Sequence, residues 1–245
     1  MKAVILAGGK GTRLAPYTTV FPKPMVPLGQ RPIIEILIRQ LAYYGIRQII
    51  LSLGYLGELI QAYFQNGNGR FAELDITYIK EREPKGTAGS LALIPDLDET
   101  FLVMNGDVLT SINFSELVSY HHKMGGVLTI GMFKKRMKID LGVIETNREG
   151  ILTGYVEKPH KTYNVSMGVY VYEPRVLEYI SPCPYLDFPD LVLELIKNGE
   201  RVVGYPFEDF WLDIGRHEDY ARAQEQFERM AHKLLPGAGI RSLEA

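Results

Sequence analysis

The sequence predicts an α/β protein: a doubly wound, mostly parallel sheet with a smaller lobe of mixed or antiparallel strands beside it. Three observations carry that expectation. In the first half, short apolar runs alternate with amphipathic stripes at helical spacing, and a glycine-rich loop follows the first run directly. In the second half, strand-like runs crowd together with only shorter helices between them. Strands that alternate with helices imply right-handed crossovers and parallel neighbours.

The first strand is expected at residues 3–7, a continuous apolar run of the kind buried on both faces. Residues 33–44 carry Ile33, Ile36, Leu37, Gln40, Leu41 and Tyr44 on one helical stripe, which Gly45 closes. Residues 48–53 are strand-like. Leu56, Leu59, Ile60, Tyr63 and Phe64 mark a second helix, ended by the Asn-Gly-Asn-Gly run at 66–69. Residues 76–79 and 101–104 are the next strands, with a short helix over 88–94 between them. Asn113 and Glu116 have the spacing of a capping box for a helix running to Lys123. Beyond it, residues 127–132, 141–145, 151–156 and 165–172 are strand-like. From Glu218, the positions of Tyr220, Ala223, Phe227, Met230 and Leu234 give an amphipathic C-terminal helix. Its ordinary role is packing on the body, and a homo-oligomer contact stays open. Pro236-Gly237-Ala238-Gly239 reads as a loose tail.

Composition narrows the function classes. The 245 residues suffice for a substantial core, and 27 basic against 29 acidic side chains leave a formal charge of −2. That balance argues against nucleic acid or a membrane surface as a partner, because both call for a basic field. An anionic ligand must then be held by a local cluster of cations and backbone amides. The lone Cys183 cannot form an internal disulfide, which fits a reducing cytosol, and nothing beside it in sequence would activate a thiol. The apolar run at the N-terminus is too short for a signal peptide, and no stretch approaches the ~20 apolar residues of a membrane helix. The expected location is cytoplasmic.

Chemistry is concentrated after the first strand, in Leu6-Ala7-Gly8-Gly9-Lys10-Gly11-Thr12-Arg13-Leu14. Gly8, Gly9 and Gly11 reach dihedrals closed to other residues, so successive N–H groups can face one anion. Arg13 adds a permanent forked cation suited to phosphate oxygens. The run is neither G-x-G-x-x-G opening into a helix nor a P-loop, since no G-K-[ST] closes it. Pro16, Pro22, Pro24, Pro27 and Pro32 stiffen the stretch after the glycines and are expected to exclude an early helix. Lys23 lies between two of them, where its ammonium is held near a fixed point with less entropy loss. Asp107, in Asn105-Gly106-Asp107, is a carboxylate at a strand's carboxyl end beside a glycine, a position suited to magnesium.

With Pro22-Lys23-Pro24, Gly86-Thr87-Ala88-Gly89, Asn105-Gly106-Asp107, Glu157-Lys158-Pro159 and Trp211-Leu212-Asp213-Ile214-Gly215, the chain resembles the sugar-1-phosphate nucleotidyltransferases from Lys2 to about Tyr220. It looks most like the short mannose-1-phosphate guanylyltransferase type, without the C-terminal β-helix of longer members. The resemblance implies a Rossmann-like catalytic domain over residues 1–216, with a nucleotide lobe over about 1–125 and a sugar lobe over about 126–216. Residues 217–245 would then be the terminal helix and tail.

The implied reaction is Mg2+-dependent transfer of a nucleotidyl group from a nucleoside triphosphate to a sugar 1-phosphate, with release of pyrophosphate. By the same resemblance Asp213 is a second metal carboxylate beside Asp107, and Arg13, Lys23 and Asp107 are the catalytic set. Leu6, Ala7, Gly8, Gly9, Gly11, Thr12, Arg13, Pro84, Gly86, Thr87, Asn105 and Gly106 face the nucleotide. Glu81 joins them where relatives that use uridine or thymidine nucleotides tend to carry glutamine. A carboxylate accepts from the adjacent N1–H and N2–H donors of guanine, which favours GTP over UTP or dTTP. Gly142, Glu157, Lys158, Ser166, Gly168 and Trp211 belong to the sugar phosphate. Ser166-Met167-Gly168 departs from the Asn-Ala-Gly of guanylyltransferases toward a glucose-using branch, so mannose and glucose both stay open. No histidine base is needed, because a phosphate monoester is already a dianion nucleophile near neutral pH. His121 and His122 are expected on a helix, with His160, His217 and His232 solvated. A catalytically silent regulatory subunit is the non-enzyme alternative, although Arg13, Lys23, Asp107 and Asp213 are all in place.

Overall fold

The computed structural model of the protein describes residues 1–67, 69–180 and 185–236; Cys183 and the expected tail beyond Pro236 lie outside them. From the N-terminus, β1 (Lys2–Ala7) leads through the glycine loop to a single turn, α1 (Tyr17–Val20), and a small antiparallel pair, β2 (Pro27–Leu28) and β3 (Arg31–Pro32). Helices and strands then alternate as α2 (Ile33–Tyr43), β4 (Gln48–Leu53), α3 (Gly57–Gln65), β5 (Asp75–Lys80), α4 (Gly86–Gly89) and β6 (Phe101–Asn105). They are followed by β7 (Val108–Thr110), α5 (Phe114–Met124), β8 (Leu128–Lys138), β9 (Val143–Thr146), β10 (Leu152–Val156) and β11 (His160–Tyr172). The chain closes with α6 (Phe188–Lys197), β12 (Val202–Phe207), β13 (Trp211–Asp213) and α7 (His217–Leu234).

One seven-stranded sheet, in the order β12-β8-β11-β6-β1-β4-β5, runs through the middle of the molecule. All its pairings are parallel except those of β11, which runs antiparallel to both β6 and β8. The fold class expected from sequence is therefore present, with β8, β11 and β12 of the second half joined to the same sheet as the first. β1 is buried on both faces. Ala3, Ile5 and Ala7 pack in one core with α2, α3, α5 and α7, while Val4 packs in the other with α4 and α6. Successive side chains of a strand point to opposite faces, so a strand covered on both sides must read as an unbroken apolar run.

Local signals set the helix ends. Gly45, at φ 81°, ends α2: its N–H donates to Ala42 O at 2.9 Å and Ile46 N–H to Leu41 O at 2.9 Å. That is a Schellman closure, in which left-handed backbone satisfies the last carbonyls. Asn113 Oδ1 accepts from Ser115 N–H and Glu116 N–H at 3.0 and 3.2 Å, so Asn113 caps α5, while Glu116 Oε1 accepts at 2.8 Å from the Asn113 side-chain amide and not from its backbone N–H as in a capping box. Along α7, Tyr220, Ala223, Phe227 and Leu234 are buried in the core and the Tyr220 hydroxyl donates to Pro27 O at 2.8 Å.

Three expectations are corrected. The prolines after the glycine loop do not exclude helical turns: a 3₁₀ turn, Thr12–Leu14, precedes them, α1 lies between Pro16 and Pro22, and a second 3₁₀ turn, Lys23–Met25, contains Pro24. A proline is tolerated in a first turn, where its missing N–H would have no partner. β8 and β11 extend well beyond the expected segments, because residues 134–138 pair with residues 160–164 as a ribbon that leaves the sheet. Exposed on most of its surface, that ribbon has no apolar alternation to read. β12 and β13 had no counterpart in the expected strands, and α6 was covered only by a general expectation of short helices. Among the described residues no helix is long and apolar enough to cross a membrane.

The histidines lie where expected, His121 and His122 on α5 and His160, His217 and His232 at exposed positions, but two of them also make specific contacts. His121 is 1% exposed, with Nδ1 2.8 Å from Thr129 Oγ1 and Nε2 2.9 Å from Glu173 Oε1, and it ties α5 to the sheet. His217 Nε2 lies 2.6 Å from Ala15 O, so it is exposed yet engaged. Burial pushes the His121 pKa below its ordinary value, and this outweighs the opposing pull of the Glu173 carboxylate. A histidine whose pKa is depressed on folding supports the fold above its unfolded pKa of about 6.5 and loses that support as pH falls through the folded value. Wild-type protein should therefore lose melting temperature between pH 7 and pH 5 more steeply than His121→Gln, measured by thermal unfolding in matched buffers. Parallel curves would show that His121 carries no such linkage.

Candidate active site

Four parallel strands, β1, β4, β5 and β6, end along one edge of the sheet, and the loops after them meet there. The loop after β1 turns back at Gly11, whose φ of 61° is left-handed and whose added Cβ would sit 2.9 Å from Lys23 Cβ and 3.0 Å from Thr18 Cγ2. Thr18 Oγ1 donates to Gly11 O at 2.9 Å and Leu14 N–H donates to it at 2.9 Å, which folds the loop over Lys23. Gly8 O accepts from Tyr55 N–H at 3.2 Å and Gly106 N–H donates to Leu6 O at 2.9 Å, so loops from three strands are cross-linked by backbone.

Lys23 is 8% exposed, and its ammonium is ion-paired with Asp107 Oδ2. The other oxygen, Asp107 Oδ1, is buried with no hydrogen-bond partner. A buried acceptor left unmatched costs about 1–3 kcal/mol, which marks this oxygen as a candidate ligand contact. Asp213 arrives through pairing: β13 runs antiparallel to β7 with Asp213 opposite Val108, and Ile214 N–H donates to Asp107 O at 3.1 Å. Two carboxylates 106 residues apart in sequence are thereby neighbours. Burial, and then the adjacent Asp107 charge, raise the Asp213 pKa, although Lys23 and Arg13 pull it down. Around Gly215, Asp213 Oδ2, Arg13 Nη1 and Asp219 Oδ2 all come within 3.6–3.7 Å of where a Cβ would stand, so acid and base alternate at this corner. Among the described residues no group of three or more His, Cys, Asp or Glu side chains gathers as a metal site. The candidate pair is two carboxylates, one of them with an unmatched oxygen, which suits an ion completed by phosphate and water.

Beside the pair lies a cleft of about 280 Å³. Of the residues singled out from sequence, Leu6, Thr87, Asn105, Ser166, Gly168, Trp211 and Asp213 line it. The Ser166–Gly168 wall exists because the β8–β11 register shifts between Ser166 and Tyr170, a bulge that brings Gly168 against Asn105 of β6. Trp211 Nε1–H donates to Met167 O at 2.9 Å and fixes that wall.

The Glu81–Gly86 stretch stands behind the glycine loop. Glu81 Oε1 accepts from Ser52 Oγ at 2.9 Å and Oε2 from Lys85 N–H at 3.3 Å, and Oε1 lies 2.9 Å from where a Gly8 Cβ would be. Pro84 is exposed, and Gly86, at φ 79°, takes a conformation that favours glycine. Gly142, Glu157 and Lys158 are placed elsewhere, in the β9–β10 hairpin, and do not line the cleft. There the Tyr155 hydroxyl donates to Glu157 Oε2 at 2.9 Å, Lys158 Nζ is 3.8 Å from Glu157 Oε1, and a Cβ at Gly142 would run into Tyr155 Oη. Lys158 holds a φ of 45°, uncommon for a lysine.

Sequence reasoning assigned no place in the site to Val108, Met167, Tyr170, Tyr172, Phe188 and Pro189, which complete the cleft. Burial holds the Tyr170 hydroxyl protonated, with its pKa pushed up to about 12. A signal for Phe188 and Pro189 was available: Asp187 before Phe188-Pro189, with Leu191, Val192 and Leu195 following at helical spacing, is a helix start. Tyr170 had none, because inward tyrosines on a buried strand read as core.

The model of the nucleotidyl transferase family matches residues 2–230. A mannose-1-phosphate guanyltransferase of Schizosaccharomyces pombe is 32% identical over 228 residues, covering 90% of this chain and 62% of that protein. A UTP–glucose-1-phosphate uridylyltransferase of Synechocystis is 33% identical, covering 91% of this chain and 62% of that protein. The chain thus spans less than two thirds of the length of these relatives. Among solved structures, HddC from Yersinia pseudotuberculosis complexed with GMP-PN superposes with a TM-score of 0.68 at 26% identity, over 92% of this chain and 99% of that one.

The cleft wall depends on Gly168, at φ 72°, where an added Cβ would stand 2.7 Å from Asn105 Nδ2. Left-handed backbone costs about 1–2 kcal/mol for any other L-residue, before the clash is counted. Gly168→Ala should lower the melting temperature by roughly 2–8 °C, at about 2–4 °C per kcal/mol for a chain of this size. An unchanged melting temperature would mean that β11 shifts to make room.

Proposed function

We infer the reaction from one premise: this chain belongs to the nucleotidyl transferase family. On that premise it is read as an enzyme that transfers a nucleotidyl group from a nucleoside triphosphate to a sugar 1-phosphate, giving a nucleotide-sugar and pyrophosphate. The observation that carries this reading is the Lys23–Asp107 ion pair, with Asp107 Oδ1 unmatched and the charges of Asp107, Lys23 and Arg13 all acting on Asp213. The reaction needs little besides cations and alignment, and this corner supplies cations at the mouth of a cleft.

In this mechanism the glycine-loop amides and Arg13 bind the triphosphate. Lys23 stabilises charge on the α-phosphate. An oxygen of the sugar phosphate attacks the α-phosphorus in line; the new P–O bond forms as the bond to the β-phosphate bridging oxygen breaks, and pyrophosphate leaves with the electron pair. Asp107 Oδ1 and Asp213 would hold a divalent cation, magnesium in this reading, which supplies further charge neutralisation at the phosphates. Ser166, Gly168 and Trp211 form the sugar side of the cleft. Glu157 and Lys158 belong to the same side in this reading, offered from the hairpin as one acceptor and one cation to the hydroxyls and phosphate.

GTP is the proposed donor, because Glu81 keeps acceptor capacity on both oxygens after Ser52 and Lys85 are served, enough for the paired N–H groups of guanine. The GMP-PN in the HddC complex and the guanyltransferase relative point the same way. The uridylyltransferase relative makes UTP with glucose 1-phosphate the alternative, and dTTP is the further pyrimidine candidate. A cytoplasmic location belongs to the same reading.

Pyrophosphate release across a grid of triphosphates and sugar 1-phosphates should be fastest with GTP and either mannose or glucose 1-phosphate. A clear preference for UTP or dTTP would refute the base assignment and leave the reaction class standing; no release from any pair would refute the reaction class. Asp107→Asn should cut turnover by ~10²-fold or more in a protein that still folds, checked by its circular dichroism, given the size of single electrostatic contributions to catalysis. Full activity of that variant in excess chelator would remove both the metal and Asp107 from the mechanism.

A further inference from the structure

The segment that carries Thr87 to the cleft has little to hold it in place by itself. α4 is a single four-residue turn, and a turn so short has no intrinsic stability. Its anchors come from the chain a hundred residues later. Lys85 O accepts from Leu186 N–H at 2.9 Å, and Leu186 O accepts from both Ala88 N–H and Gly89 N–H at 3.0 Å. The two backbones touch, because a Cβ at Gly86 would collide with Leu186 O. Thr87 Oγ1 accepts from Phe188 N–H at 2.8 Å.

Asp187 completes the clasp. Its Oδ1 accepts from Thr87 N–H at 3.1 Å and from Thr87 Oγ1 at 3.3 Å, while its Oδ2 accepts from the Tyr185 hydroxyl at 2.8 Å. Asp187 occupies the N-cap position of α6, where an aspartate ordinarily caps its own helix, yet its side chain makes no cap hydrogen bond there. A favourable local bond has been given up for one across the cleft wall.

We propose that Asp187 is a positioning residue for the nucleotide side of the cleft, clasping Thr87 so that the Gly86–Gly89 turn stands at a fixed distance from the sugar side. Thr87, Phe188 and Pro189 all line the cleft, so the clasp sets its width. What Thr87 faces rests on the function proposed above; the clasp itself does not.

The test compares full-length wild type, Asp187→Ala and Asp187→Asn by two readouts. Steady-state pyrophosphate release with GTP and the preferred sugar 1-phosphate gives both Michaelis constants. Hydrogen exchange, followed by mass spectrometry, reads the amides of residues 86–89. Asp187→Ala should raise the constant for the triphosphate roughly tenfold, as expected for losing a charge-assisted pair of hydrogen bonds, and change that for the sugar phosphate less than twofold. Exchange should accelerate at 86–89 and not in β1 or β6. Asp187→Asn keeps an acceptor oxygen and should restore most of both. If Asp187→Ala does not fold, Asp187→Ser, which can cap α6 but is too short to reach Thr87, carries the same comparison.

Equal increases in both Michaelis constants, or unchanged exchange at 86–89, would overturn the proposal. A wild type that releases no pyrophosphate with any substrate pair would sink the function instead, and exchange alone would then decide the clasp.

Discussion

β1 is hydrogen-bonded along both edges, to β4 and to β6, and buried on both faces, and everything at the carboxyl edge of the sheet hangs from that placement. A strand so enclosed cannot slip by one residue, because its whole apolar set would exchange faces. The loops after β1, β4, β5 and β6 therefore leave the sheet at one level, and glycines let their backbones close up. A Cβ at Gly54 would stand 2.5 Å from Gly8 O, and one at Gly106 3.0 Å from Leu6 O. Small residues here admit backbone to backbone, and the loops are welded before any side chain acts.

On that weld sits an arrangement that works against stability. A lysine and an aspartate drawn largely out of water recover their desolvation cost only with good geometry and further partners, and one oxygen of Asp107 has none. A second carboxylate is pressed toward it, which raises the pKa of Asp213. Interior packing would favour an apolar residue at the position of Lys23. The presence of these charges together is intelligible if a polyanion and a cation arrive as one load, relieving the carboxylate repulsion and the unmatched oxygen at once. The strain lies in electrostatics rather than packing, since Leu14 and Val26 close by are fully buried in ordinary core.

The second half of the chain plays two mechanical parts. β8, β11 and β12 finish the sheet, whereas the ribbon beyond residue 133 and the β9–β10 hairpin leave it. Leu141, Ile144, Leu152 and Tyr155 stay exposed there. A two-stranded hairpin gains little cohesion from itself, so the group formed by Gly142, Tyr155, Glu157 and Lys158 rests on the less rigid element, and the cleft walls rest on the sheet. The clasp from Asp187 to Thr87 ties the two halves at the cleft, where the sheet does not reach.

Much of this was legible in the residues alone. β1, β4, β5 and β6 follow from apolar runs, α2 from its stripe and Gly45, α5 from Asn113 and Glu116, and α7 from its spacing, because each signal is local and reports a covered face. The glycine loop with Arg13 and Lys23 was also legible, since dihedral freedom and charge belong to residue types. The meeting of Asp107 with Asp213 was reached from resemblance, and it is the three-residue pairing of β7 with β13 that brings them together. Strands that short leave no period to read. The same limit hid the bulge that aims Gly168 at Asn105, the burial that takes His121 out of water, and the turn of Asp187 away from its own helix. Composition and periodicity determined which segments would be strands and helices and which side chains could bind phosphate. Only the tertiary structure decided which groups from distant segments share one corner, because pairing register and burial are properties of the whole sheet and not of any one stretch of chain.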